Sequence, residues 1–230
     1  MIGTLINVGA VLLGTLAGTV VGARLPKGVQ QRVLAGLGLA TLVLGMDYAL
    51  AWRDTNPLIV IGAVLLGGLA GEAMGIERGL ERLGDAAQRR FSGTGPSTVS
   101  QGFFTASVLF CVGPLAVLGP IQDGLTGDYR TLATKALLDG FAAVALASTL
   151  GWGVALSAIS VLLVQGAIAL GAGLFDDLLR GEALAALTSA GGVLILGIAL
   201  RLLEVRDVKV GNFLPALLLA PALVGVVRLF

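Results

Sequence analysis

The sequence predicts an all-α, polytopic helical membrane protein of about eight transmembrane helices, one of them broken and with inverted repeats. Three observations carry this. Hydrophobic residues make up 56% of the 230 residues and charged ones 13%, with a mean hydropathy of +0.95. Apolar runs such as LINVGAVLLGTLAGTVVGA (5–23) and NFLPALLLAPALVGVV (212–227) recur from end to end. Soluble helices keep a polar face toward water, whereas about 20 apolar residues at 1.5 Å each cross a hydrocarbon core. Third, the strongest polar punctuation falls between the runs, where loops belong.

Residues 1–230 read as a single transmembrane domain. Helices are expected at about 3–23, 33–51, 57–75, 101–120, 132–150, 154–174, 184–203 and 212–229. The first run lacks a basic leader and is read as a retained span, not a signal peptide. Between the third and fourth spans, IERGLERLGDAAQRRF (76–91) places Ile76, Leu80, Leu83, Ala87 and Phe91 at helical spacing with charges opposite, the pattern of an interfacial amphipathic helix. GWG (151–153) reads as a very tight turn between two spans. With the first loop in the cytoplasm, ten basic residues lie inside and five outside, so both termini are expected to face outward.

GAVLLGTLAG (9–18) and GAVLLGGLAG (62–71) match at nine of ten positions. Shorter echoes pair LVLG (42–45) with LILG (194–197) and NPL (56–58) with NFL (212–214). If the first three helices correspond to the last three, the offset of five spans inverts the second copy, an arrangement of secondary transporters. Gly14, Gly18 and Gly22, and again Gly67, Gly71 and Gly75, repeat every fourth residue, a pattern for close helix packing within the chain or between subunits.

Several function classes are excluded by composition. The chain has no histidine and one cysteine, Cys111, which removes a disulfide, the usual metal sites and histidine-assisted nucleophilic catalysis. No metal and no cofactor is expected, and the protein is not expected to be an enzyme. The net charge of +1 implies no nucleic-acid partner.

Candidate binding residues are the polar groups inside apolar runs. Gly113–Pro114 and Gly119–Pro120 interrupt the fourth helix, predicting either a plain kink or a broken helix whose freed backbone binds an ion. Gln122 and Asp123 follow, either lining the same cavity as Cys111 or capping the helix at the outer surface. Lys135 and Asp139 stand one turn apart on the fifth helix, as a transport pair or as a structural salt bridge. Gln165 is expected to bond across helices, and Asn7 either to cap or to bond across. Asp47 and Glu72 sit near span ends, where solvation accounts for them.

The blocks KALLDGFAAVALASTLGWGVALSAISVLLVQG (135–166), FCVGPLAVLGPIQDGL (110–125) and NFLPALLLAPAL (212–223), with the opening MIGTLINVGAVLLGTLAG, resemble the uncharacterised bacterial inner-membrane family of YqgA/YdfK-type proteins. Pro120 departs from that family's pattern, which implies a small residue there and so a stiffer helix here. The family implies a topology and an inner-membrane location but no substrate. The polar groups therefore carry the functional expectation: a small secondary transporter for a small solute or ion, with an oligomeric channel, a structural membrane protein or an intramembrane enzyme as alternatives. The expected partners are the lipid bilayer, the solute and a second copy in a homo-oligomer.

Overall fold

The computed structural model describes residues 1–79, 82, 98–112, 114–174 and 179–227, with only the backbone of Gln30 and Pro114. The described residues form helices and no strand: α1 Ile2–Gly22, α2 Lys27–Ala49, α3 Pro57–Met74, α4 Val99–Cys111, α5 Pro114–Thr126, α6 Arg130–Leu150, α7 Ser157–Leu170, α8 Glu182–Leu202 and α9 Ala216–Val227. Short 3-10 turns cover Leu50–Asp54, Gly151–Leu156 and Val210–Phe213. This is an all-α polytopic membrane protein. Leu13, Leu65, Leu69, Leu137, Phe141, Leu163, Leu170 and Leu218 point outward, as a bilayer solvent requires.

Local chemistry explains the element ends. Asn56 caps α3 by accepting from the Leu58 backbone N–H at 2.9 Å, and Pro57 takes the first position, where its missing donor costs nothing. Gly75 ends α3 in the left-handed region at φ 66°. α2 begins at Lys27, earlier than the expected 33, because Pro26 starts the turn and the basic residues ride on the helix. The amphipathic segment is helical over 76–79, and most of 80–91 lies outside the described residues.

Six helical stretches are long and apolar enough to cross a membrane, or seven with the bent pair α4–α5 taken as one span. One of the six, Arg130–Leu170, is 41 residues long and holds both α6 and α7. Its halves do not form one straight rod, and both pack on α1. The Asn7 amide donates to Asp139 at 2.9 Å and to Gln165 at 3.3 Å. On an unbroken helix those two residues would stand about 39 Å apart at 1.5 Å per residue. The reversal lies at Gly151, whose φ of 74° ends α6. The stretch therefore supplies two legs, not one.

α4 and α5 meet at a 61° bend. α4 ends at Cys111 and α5 opens at Pro114, and Pro120 sits inside α5 without ending it. A proline opening a helix removes a donor that is unused anyway, so Pro114 takes the first position of α5 at no cost. α4 starts beside the 151–156 turn, with Gly102 against Leu150 and Val154. α5 ends beside the last turn of α7, with Gly124 against Ala169 and Ala172. A re-entrant loop would return to its starting side. This one traverses from one end of the α6–α7 hairpin to the other, so it is a broken span.

The chain divides into two compact units. The first contains α1, the start of α2, and α4 to α7; the second contains the rest of α2, α3, α8 and α9. The duplicated decapeptide lies on α1 in one unit and on α3 in the other. In the first, Gly14, Gly18 and Gly22 sit against the backbone carbonyls of Gly140, Val144 and Ser148 on α6. In the second, Gly67 and Gly71 sit against Ala216 and the Asn212 carbonyl, and Gly68 against the Phe213 ring. In both, the glycines allow backbone-to-backbone contact that any side chain would prevent. Within the second unit, α2 packs on α8 through Gly45 against Leu196 and Gly192 against Ala49.

Candidate functional site

Four polar residues from three helices of the first unit meet in its interior. α1 contributes Asn7, α6 contributes Lys135 and Asp139, and α7 contributes Gln165. Their relative exposures are 0% for Asn7 and Gln165, 5% for Lys135 and 7% for Asp139. The 135/139 spacing puts the ammonium and the carboxylate on one face of α6, where they form an ion pair through Asp139 Oδ2. That oxygen also accepts from Asn7 Nδ2. The second Asn7 N–H goes to Gln165 Oε1, so one amide ties the ion pair to α7. Gly14 lets α1 approach α6 closely enough for this, since a Cβ there would run into the carbonyl of Gly140, the residue next to Asp139.

The cluster is not fully satisfied. Asn7 Oδ1, Gln165 Nε2 and, one turn back on α1, Thr4 Oγ1 are buried without a hydrogen-bond partner among the described residues. Each such atom costs on the order of 1–3 kcal/mol in a dry interior. Cys111 is half-buried and is the last residue of α4. Asp139 stands nine residues into α6, about 14 Å along its axis, well away from the helix end.

The other predicted site residues go elsewhere. Gly113 lies outside the described residues, and Pro114 serves to open α5. Gln122 is exposed and accepts from the Thr131 hydroxyl at 2.6 Å. Asp123 is buried, but at the start of α1. It accepts from the Gly3 N–H at 3.0 Å, and the Met1 nitrogen lies 2.9 Å away. A carboxylate is stabilised there because the first N–H groups of a helix have no internal partner. Gln122 and Asp123 thus close the end of α5 rather than joining Cys111, and Asp123 caps a neighbouring helix, not its own.

The open groove of about 660 Å³ in this unit is apolar, lined by residues of α1 and of the 152–162 stretch such as Val8, Leu12, Trp152 and Leu162. None of the four cluster residues lines it.

Sequence reasoning missed one buried charge. In the second unit, Glu77 accepts from the Gly211 N–H at 2.6 Å and pairs with Arg201 at 3.3 Å. Its own N–H donates to Asn212 Oδ1 at 2.9 Å, and Asn212 in turn donates to Glu72. Glu72 therefore has a protein partner besides solvent. Glu77 was hidden among the charges of an amphipathic segment, where an acidic residue reads as solvated. The available signal was the nearby Asn212–Phe213–Leu214 run, which places a capping side chain at a span's start.

With this geometry in place, relatives can be compared. The family described as "Protein of unknown function (DUF554)" matches residues 2–225. The chain belongs to that family. It is 31% identical to the "Uncharacterized membrane protein YdfK" of Bacillus subtilis (strain 168), covering 100% of this chain and 98% of the relative. It is 35% identical to the "Uncharacterized protein YqgA" of Escherichia coli (strain K12), covering 96% and 94%. No solved structure matches. The resemblance read from the blocks at 110–125, 135–166 and 212–223 is thereby shown, and Lys135, Asp139 and Gln165 all fall within the second of them.

Proposed function

We propose that this member of the DUF554 family is a small secondary transporter of the bacterial inner membrane, moving a small solute or ion by alternating access. The observation that carries the reading is the enclosed Asn7–Lys135–Asp139–Gln165 cluster with its unpartnered amide atoms. Ionisable groups within a bilayer are costly and collect on solute and proton pathways. A purely structural salt bridge gains nothing from leaving an adjacent donor and acceptor unmet, whereas a binding site must keep them available. The broken span α4–α5 supports the same reading, as does the duplicated helix. With no histidine in the chain, any proton coupling falls to Asp139. The loop arginines favour both termini outside, and the lack of a histidine-activated nucleophile favours a non-enzymatic role.

The test is reconstitution. The purified protein is screened by thermal shift against inorganic ions and small polar metabolites, and each stabilising compound is then followed as labelled uptake into proteoliposomes with and without an imposed proton gradient. Saturable, gradient-dependent uptake supports the proposal. Flux that is linear in concentration and indifferent to gradients replaces it with an oligomeric channel. No flux of any stabilising compound overturns both.

A further inference from the structure

Sorted by hydrogen-bonding polarity, the cluster falls into two halves. Lys135 Nζ and Gln165 Nε2 donate. The Asp139 carboxylate and Asn7 Oδ1 accept. Of these, Gln165 Nε2 and Asn7 Oδ1 have no partner among the described residues, and both side chains are fully buried. The two charged members satisfy each other. The cluster therefore carries no net charge and offers one spare donor and one spare acceptor.

This constrains what can enter. A lone anion would take Lys135 and strand the Asp139 carboxylate, and a lone cation would do the reverse. An uncompensated buried charge is far more costly than one hydrogen bond can offset. A neutral amide could meet the two spare atoms but would make no use of the ion pair. A solute bearing both an ammonium and a carboxylate can divide the pair without stranding either charge. Its carboxylate accepts from Lys135 Nζ and Gln165 Nε2, while its ammonium donates to Asp139 and Asn7 Oδ1. Every polar group of site and solute then has a partner, by charge-assisted bonds.

Size follows from the spacing. The amide and carboxylate groups stand 2.9 and 3.3 Å apart, so the site must open to admit anything. A solute with one or two carbons between its charges demands the least separation.

We propose that the Asn7–Lys135–Asp139–Gln165 cluster binds a small zwitterion of the amino-acid class, its carboxylate accepting from Lys135 and Gln165 and its ammonium donating to Asp139 and Asn7. This rests on the transporter reading and names its substrate class.

The experiment uses the full chain in detergent at fixed ionic strength. Thermal unfolding is followed with low concentrations of glycine or alanine, and in parallel with acetate, methylammonium and acetamide. Saturable stabilisation is expected with glycine or alanine and with none of the three controls. Gln165→Met, which keeps the side-chain length and removes the spare donor, should weaken alanine binding by about tenfold or more. Direct binding of labelled alanine to the unaltered protein, competed by glycine and not by acetate, gives the same answer without a variant. Equal responses to all five compounds, a response to a control but not to glycine or alanine, or unchanged alanine affinity in a folded Gln165→Met protein overturns the assignment. The two readings fail separately. Uptake of a different solute without amino-acid binding removes the zwitterion and keeps the transporter. Alanine binding without flux keeps the site and removes the transporter.

Discussion

Asp139→Asn isolates the energetics of the buried pair. Lys135 is 5% exposed, and Asp139 is its ion-pair partner among the described residues. Removing the carboxylate's charge leaves an ammonium inside the unit with nothing to neutralise it, a change that typically costs about 3–5 kcal/mol. Lys135→Met leaves the carboxylate with only the Asn7 N–H and should cost a similar amount. The double variant Lys135→Met/Asp139→Asn removes both charges and keeps the Asn7 contact, so it should lie within about 1 kcal/mol of the original protein. For a chain of this length each kcal/mol shifts the melting temperature by roughly 2–4 °C. The singles should therefore melt about 10 °C lower and the double close to wild type. The assay is thermal unfolding of the four purified proteins in one detergent, read as a double-mutant cycle. Uptake per folded protein in proteoliposomes is measured on the same four. The double variant is expected to be stable and inactive. Additive single effects would refute the coupling, and a stable double variant with full uptake would refute a transport role for the pair.

Three further outcomes are expected. Gly18→Leu should abolish accumulation of folded protein, because even a Cβ there would run into the Val144 carbonyl and lie 2.9 Å from the Ala147 Cβ, whereas Gly9→Leu, with nothing within 4 Å, should be tolerated; fluorescence-detected gel filtration distinguishes them. Glu77→Gln should lower stability by about 1–3 kcal/mol in thermal unfolding, since it weakens the Arg201 pair and the bond from the Gly211 N–H, without altering solute affinity. Reporter fusions at 85–95 should read cytoplasmic and those at 176–182 external, as the loop arginines imply; the opposite pattern would reverse the orientation.

Most of the fold was legible because a bilayer imposes few solutions. A run of apolar residues bounded by Asn56–Pro57 and Gly75 can only be a capped helix, and α3 is one. The reversal at 151–153 was legible from two glycines flanking Trp152. The exact break in the fourth span was not. Two Gly-Pro pairs lie six residues apart in sequence with equal propensity to interrupt a helix, and the break falls at the first. The site was legible to the same extent. Lys135, Asp139, Gln165 and Asn7 stood out because each is polar in an apolar run, and lipid offers such groups no partner but one another. Gln122 and Asp123 did not separate from them, because the fate of a polar residue at a helix end depends on which neighbouring helix starts beside it, and that is set by the path of α1.

The duplicated decapeptide sharpens where function resides. Carried back from the matched stretch, the register that aligns Gly9 with Gly62 aligns Asn7 with Val60. Both glycine-lined helices retain the surface that packs on a partner backbone, but only α1 carries the amide. The second unit does hold buried or half-buried polar groups, in Glu77, Arg201 and Asn212, and there they bond one another, the exposed Glu72 and the Gly211 N–H. The buried side-chain atoms without partners among the described residues, on Thr4, Asn7 and Gln165, all belong to the first unit. Polar groups that exist to hold a fold together are under pressure to satisfy each other, and those of the second unit do. Groups that must exchange partners during a cycle cannot all be satisfied in every state. On that physical ground the proposed solute site falls on one copy of the duplicated helix, while both copies pack closely through their glycines, and Asn7 is the residue at which the two copies part.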